Sequence, residues 1–109
     1  MRLEIDSLAI EDVKESISYY EREAGKGREF ITDFDAAIDR IVINPLSYQI
    51  LDEAGYRRCL FSQFPYGVFF KIMDDHVYVI AVAHHKRKPK FWLSRNESIL
   101  NSQRNEKHE

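Results

Sequence analysis

Val77-Tyr78-Val79-Ile80-Ala81-Val82-Ala83 contains no polar position, and this constrains the fold more than any other stretch. A half-exposed strand alternates apolar and polar residues; one without alternation must be covered on both faces. At seven residues it falls far short of the ~20 needed to span a bilayer. The rest of the chain must therefore supply two layers of cover. The run also ends abruptly, in His84-His85-Lys86-Arg87-Lys88-Pro89-Lys90-Phe91-Trp92. A rigid sheet carrying cations, two imidazoles and an indole at one end is suited to a polyanion.

The flanking elements follow from pattern. Met1, Leu3 and Ile5 alternate with Arg2 and Glu4, as in a short half-exposed strand. Asp6 or Ser7 caps a helix whose stripe is Ala9, Val13, Ile17, Tyr20 and Ala24, with Glu11 and Asp12 near its positive end. Gly25-Lys26-Gly27 ends it. A second helix over about 28–43 carries Phe30, Phe34, Ala37, Ile38 and Ile41 on one face, while Glu29, Asp33, Asp35, Asp39 and Arg40 largely avoid that face. Asn44-Pro45 stops it. Residues 46–55 read as a loop with a turn near 52–55. Strands follow over about 56–61, 66–73 and 77–83, with Asp74-Asp75-His76 as a tight hairpin turn. A short turn or helix is expected from Pro89 to Ser94. The expected class is α+β, in the order β-α-α-β-β-β: an N-terminal helical hairpin packed on a twisted, mainly antiparallel sheet. The expected organisation is one domain over 1–95 and a polar, irregular tail over 96–109.

Charge divides the chain unevenly. Residues 1–55 hold 6 Lys/Arg and 13 Asp/Glu, a net of −7, whereas 56–95 hold 8 and 2, a net of +6. The overall −2 conceals this polarity, which bears on partners rather than on fold. The acidic helices repel nucleic acid, so contact with RNA or DNA is expected only at the sheet end. An apolar fraction of 44% places the chain among globular domains. Cys59 is the only cysteine, which excludes an intramolecular disulfide and agrees with a reducing cytoplasm. One cysteine and four scattered histidines give no zinc spacing, and no metal or cofactor is expected. The start of the chain has no apolar signal region. The expected location is the cytoplasm, away from membranes.

The helical pair with Tyr19-Tyr20, the stop Asn44-Pro45, Tyr56-Arg57-Arg58-Cys59-Leu60, Phe64-Pro65-Tyr66, Val79-Ile80-Ala81-Val82-Ala83-His84, Arg87-Lys88-Pro89 and Phe91-Trp92-Leu93-Ser94-Arg95 together resemble the RelE/ParE toxin superfamily, which includes plasmid stabilisation proteins. The resemblance covers about 1–95 and implies the same β-α-α-β-β-β architecture. It also implies the toxin half of a type II toxin–antitoxin pair, held inactive by a cognate antitoxin and reaching operator DNA only through the antitoxin complex. Two mechanisms are known in the superfamily: cleavage of ribosome-bound mRNA, and inhibition of DNA gyrase without an enzymatic step. A non-toxic chain that only binds antitoxin or joins the operator complex is the alternative.

Metal-free RNA cleavage needs a proton acceptor, cations for the phosphorane and a proton donor for the leaving oxygen. Against the ribonucleolytic pattern Arg57 matches the first basic position and Arg87 the last. Cys59 and Gly67 stand where further cations are expected, and Phe91 or Trp92 stands near the expected tyrosine. His84 and His85 are suited to acid–base work, the neighbouring Arg87 lowering their pKa. Arg57, His84, His85 and Arg87 are therefore the candidate catalytic residues. If the strand continues through the histidines, only one of them faces the groove. Arg58, Lys86, Lys88, Lys90, Trp92 and Arg95 are the candidate nucleic-acid or target-binding residues. The structural alternatives are salt bridges from Arg57 or Arg58 to Asp35 or Asp39, one histidine packed against the helices with the other solvated, a solvated basic run, and Trp92 as a lid on the sheet.

Overall fold

The computed structural model describes residues 2–96. Strand β1 (Arg2–Ile5) comes first, then α1 (Ser7–Ala24) and α2 (Gly27–Ile43), then β2 (Tyr56–Leu60), β3 (Tyr66–Ile72) and β4 (His76–His84). The sheet order is β1-β4-β3-β2, with β1 parallel to β4 and the other pairs antiparallel. The α+β class and the β-α-α-β-β-β order are those expected, and the apolar run is an internal strand. Among the described residues no helix is long and apolar enough to cross a membrane.

Local chemistry sets the helix ends. Asp6 caps α1 by accepting the Leu8 N–H at 2.9 Å, and Gly25 closes it in the left-handed conformation at φ 65°. Glu11 and Asp12 lie beyond the first turn, which holds no acidic residue, so the expected help to the helix dipole is absent there. The carboxylate of Glu21 instead accepts the N–H of Gly27 at 2.9 Å, at the start of α2. A β-carbon on Gly27 would lie 2.8 Å from that same carboxylate, so glycine allows α2 to begin one residue earlier than expected. Pro45 opens a 3₁₀ turn, Pro45–Ser47, immediately after α2.

The two helices lie on one sheet face. Phe30, Ala37, Ile41, Val68, Phe70, Val77 and Val79 are fully buried between them and the sheet. The other face carries a second cluster of Tyr56, Phe69, Tyr78, Ile80, Ala81, Ala83 and Trp92. A β-bulge explains how one strand serves both. Phe69 pairs with Ala81 but Phe70 with Val79, so Ile80 is an extra residue on β4. Before the bulge Val77 and Val79 face the helices; after it Val82 does. Ile80 and Ala81 both face away.

Asp74-Asp75 forms the hairpin turn, closed by the Met73 N–H to the His76 carbonyl at 2.8 Å, so His76 belongs to the strand rather than the turn. Backbone beyond Pro89 becomes helical at 92–96. Of the irregular tail expected over 96–109, Asn96 is helical, and the remainder lies outside the described residues.

Candidate functional site

Strand alternation separates the two arginines of β2. Arg57 points to the helix side, where its guanidinium donates to the carbonyls of Tyr48 and Leu46. Its Nε is buried with no partner among the described residues. Arg58 emerges on the opposite face and is exposed. Neither pairs with Asp35 or Asp39: no ion pair involves either arginine among the described residues. The side chain of Arg58 crosses β3 at Gly67, where a β-carbon would sit 3.0 Å from its Cγ and 3.1 Å from its Cδ. The bare backbone at Gly67 therefore gives the Arg58 stem its place.

Strand β4 ends at His84, so the rule that one histidine of the pair is turned away does not apply. The two imidazoles stack instead, 4.6 Å apart and 24° from parallel. His84 also meets the ring of Tyr66 edge-on at 5.4 Å. Its Nδ1 accepts the Lys86 N–H at 3.0 Å, which leaves the proton of the neutral ring on Nε2. The ring nitrogen Nδ1 of His85 lies 3.1 Å from the Pro65 carbonyl and donates to it. Burial first, then the charges of His85 and Lys86, holds the pKa of His84 below the usual histidine range. The sequence had assigned that effect to Arg87.

The guanidinium of Arg87 lies 4.2 Å from the centre of the Phe91 ring. Lys86, Lys88 and Lys90 are exposed, and Lys90 adopts φ 60°, a reversal that returns Phe91 and Trp92 to the sheet. A cavity of 210 Å³ lies between these parts. Arg58, His84, His85, Arg87 and Lys90 line it, over aromatic walls from Phe69, Phe91 and Trp92. Among the described residues no carboxylate borders it.

Two candidates from the same stretch lie inside the molecule. Trp92 is buried, stacked on Phe69 at 4.6 Å, with its indole N–H on Asp52 at 2.5 Å. Arg95 forms a two-point ion pair with Asp12, at 2.7 and 3.0 Å, and donates to the Ile80 carbonyl at 3.1 Å. Both hold the 92–96 segment on the sheet, and neither presents its polar group to a partner.

Sequence reasoning missed the acids that position these parts. Asp33 is buried and accepts the N–H groups of Ser62, Gln63 and Phe64, so it shapes the β2–β3 connection. Asp12, expected only to favour the positive end of the first helix, also accepts the Val82 N–H at 2.9 Å. Helical spacing held the signal. Asp33 lies three residues after Phe30 and four before Ala37, within the apolar stripe, and Asp12 lies three after Ala9.

A helical hairpin on one face of a mixed four-stranded sheet is the fold expected of the RelE/ParE class of small toxins. The profile of the ParE toxins of type II toxin–antitoxin systems, parDE, matches residues 3–89, and the chain belongs to that family. A solved chain of the chromosomal ParDE toxin–antitoxin system from P. aeruginosa is similar in fold, with a TM-score of 0.68 at 16% identity. The match covers 77% of this chain and 95% of that one. No curated protein sequence matches. Membership makes the protein the toxin component of such a module and implies a cognate antitoxin as its partner.

Proposed function

We propose that this toxin arrests bacterial growth by binding DNA gyrase, and that its antitoxin prevents this. The placement of Arg57 carries the reading. The residue that best matches the first basic position of a ribonucleolytic toxin is turned under the sheet, with its guanidinium held by the Leu46 and Tyr48 carbonyls. Cys59 is buried and Gly67 has no side chain, so neither restores a cation on β2 or β3. The rim that remains, Arg58 with 84–90, is suited to contact more than to phosphoryl transfer.

A second reading, cleavage of ribosome-bound mRNA, is favoured by the stacked His84–His85 pair next to Arg58 and Arg87. The discriminating experiment is tightly controlled expression of the chain alone in a bacterial host. Thymidine and methionine incorporation are followed over the first minutes, with supercoiling by purified gyrase assayed in parallel. Gyrase binding predicts that thymidine incorporation falls first and supercoiling is lost. An earlier fall in methionine incorporation overturns that reading and supports RNA cleavage. Expression without any growth defect leaves only antitoxin or operator-complex binding.

A further inference from the structure

We propose that Asp33 is a positioning residue for the basic rim, holding the ring of His85 through the β2–β3 connection so that its Nε2 faces outward as a hydrogen-bond acceptor. Among the described residues Asp33 is the charged residue that is buried, and it forms no ion pair there. Its carboxylate instead accepts the N–H groups of Ser62 at 3.1 Å, Gln63 at 2.7 Å and Phe64 at 3.0 Å. Pro65 has no N–H, and that of Tyr66 goes to the Phe64 carbonyl at 2.8 Å. One acid on α2 thus satisfies every backbone donor that this connection does not satisfy itself. The Phe64 ring adds an apolar anchor, 4.7 Å from Tyr20 and 5.1 Å from Phe30.

The link from this connection to the rim is the Pro65 carbonyl. It accepts two protons from one residue, the backbone N–H of His85 at 2.8 Å and the ring Nδ1–H at 3.1 Å. A neutral imidazole has a single N–H, so a donating Nδ1 leaves Nε2 with its lone pair. His84 is the opposite case: its Nδ1 accepts the Lys86 N–H, and Nε2 carries the proton. The stacked rings, 4.6 Å apart, therefore present one donor and one acceptor. An amide group of a protein target meets both, whereas the oxygens of a phosphate meet the donor alone. The value of this pairing to the toxin rests on the target being a protein, as gyrase is. The two rings are held differently. His84 is fixed within its own turn, but His85 depends on a carbonyl 20 residues away in the chain, which Asp33 keeps in place.

The test begins with the purified full chain alone. At about pH 8.5, where an ordinary histidine is neutral, NMR of the ring nitrogens reads the tautomer of each imidazole. The Nδ1–H form is expected for His85 and the Nε2–H form for His84. A parent protein with His85 in the Nε2–H form overturns the proposal before any variant is made. In Asp33→Asn an amide nitrogen replaces one acceptor oxygen, and the Nδ1–H fraction of His85 is expected to fall at least about twofold while His84 does not move. An unmoved His85 overturns the proposal, and so does movement of both rings, which marks a general loosening of the fold. If Asp33→Asn does not fold, Asp33→Glu, whose extra methylene has room in the adjoining 570 Å³ cavity, displaces the carboxylate and is read in the same way. Growth arrest per amount of folded toxin is expected to weaken about threefold to tenfold in the variant, as for loss of one neutral hydrogen bond. Undiminished arrest with the tautomer lost overturns the role of Asp33 at the rim. If the parent instead lowers methionine incorporation first, the gyrase reading fails while the tautomer result stands, so the two failures are distinguishable.

Discussion

The two faces of the sheet are buried by different means. On one, helices of 18 and 17 residues cover Phe30, Ile41, Val68, Phe70, Val77 and Val79 completely, and ring contacts link Phe30 to Tyr20, Phe61, Phe64 and Tyr66. On the other, the cover is the short segment 91–96 and the loop before β2. Polar tips fasten that thin cover: the Tyr56 hydroxyl to Asn96, the Trp92 indole to Asp52, and Arg95 to Asp12. The first face is held by shape and apolar area, the second by aromatic bodies whose polar ends find partners at the boundary. Because that cover is short, the end of the sheet near Arg58 and the β4 terminus stays open. Thinness on one face is thus the structural origin of the candidate site.

The comparison makes the helix face the most expensive to disturb. Phe30→Ala is expected to cost about 4 kcal/mol, the range for a fully buried aromatic truncated to alanine, read as a fall in the urea midpoint with unchanged slope. Arg95→Ala follows at about 3 kcal/mol, since it leaves the partly buried carboxylate of Asp12 without its counter-charge. Substituting both Arg95 and Asp12 should cost less than the sum of the two single changes, by coupling of about 1 kcal/mol or more. If Arg95→Ala is neutral, the second face is held by apolar area after all and the contrast collapses.

Much of the first face was legible in the sequence, and little of the second. Helix period in Ala9, Val13, Ile17 and Tyr20, and in Phe30, Phe34, Ala37 and Ile41, locates the hairpin and the face it buries. The unbroken apolar run gave an internal strand because apolar burial is written in composition. What joins the second face is pairing between residues far apart in the chain: Asp12 with Arg95, Asp52 with Trp92, Tyr56 with Asn96. No local pattern encodes such a partner, so Arg95 read as a surface binder, and Trp92 read as a target contact or as a lid on the sheet with nothing local to name Asp52 as its partner. The bulge at Ile80 was equally invisible, since every residue from 77 to 83 is apolar and a reset of alternation leaves no trace. For the rim, the sequence supplied the residues but not their roles. The fate of Arg57 and Arg58 depends on which side of β2 each occupies.

The polar fastening of the second face has its own pH signature. Burial above all, then Asp52 and Asp6, raises the Tyr56 phenol to about 12 from an ordinary value of 10.0. The fold therefore prefers the neutral phenol. That preference contributes its full stability below about pH 10 and is lost as pH rises towards 12. Tyr56→Phe should lie about 1 kcal/mol below the parent at neutral pH, through loss of the hydrogen bond to Asn96. Above pH 10 the gap should close, because only the parent carries the titrating group. Tyr78, also raised, is common to both proteins, and burial and Asp6, the larger causes of its shift, are the same in each. Denaturation curves across pH 8–12 read the difference, and a constant gap would show that the phenol is not protected by the cover.

The smallest stability effect belongs to the open rim, and there the two faces differ most sharply in meaning. Arg87 is exposed, and its side chain's contact is the Phe91 ring at 4.2 Å. Arg87→Ala should therefore change stability by no more than about 1 kcal/mol, the size of an exposed cation–ring contact. Growth arrest should nevertheless be lost or much weakened, because the side chain contributes to the surface offered to the target rather than to the fold. Phe30→Ala can also abolish arrest, but only by depleting folded protein, so the decisive reading is arrest per amount of folded toxin. Antitoxin binding supplies the control: a folded Arg87→Ala protein still captured by its antitoxin, yet harmless, places the defect at the rim. Undiminished arrest by that variant would make the basic run a solvated edge and move the search for the target surface to the helices.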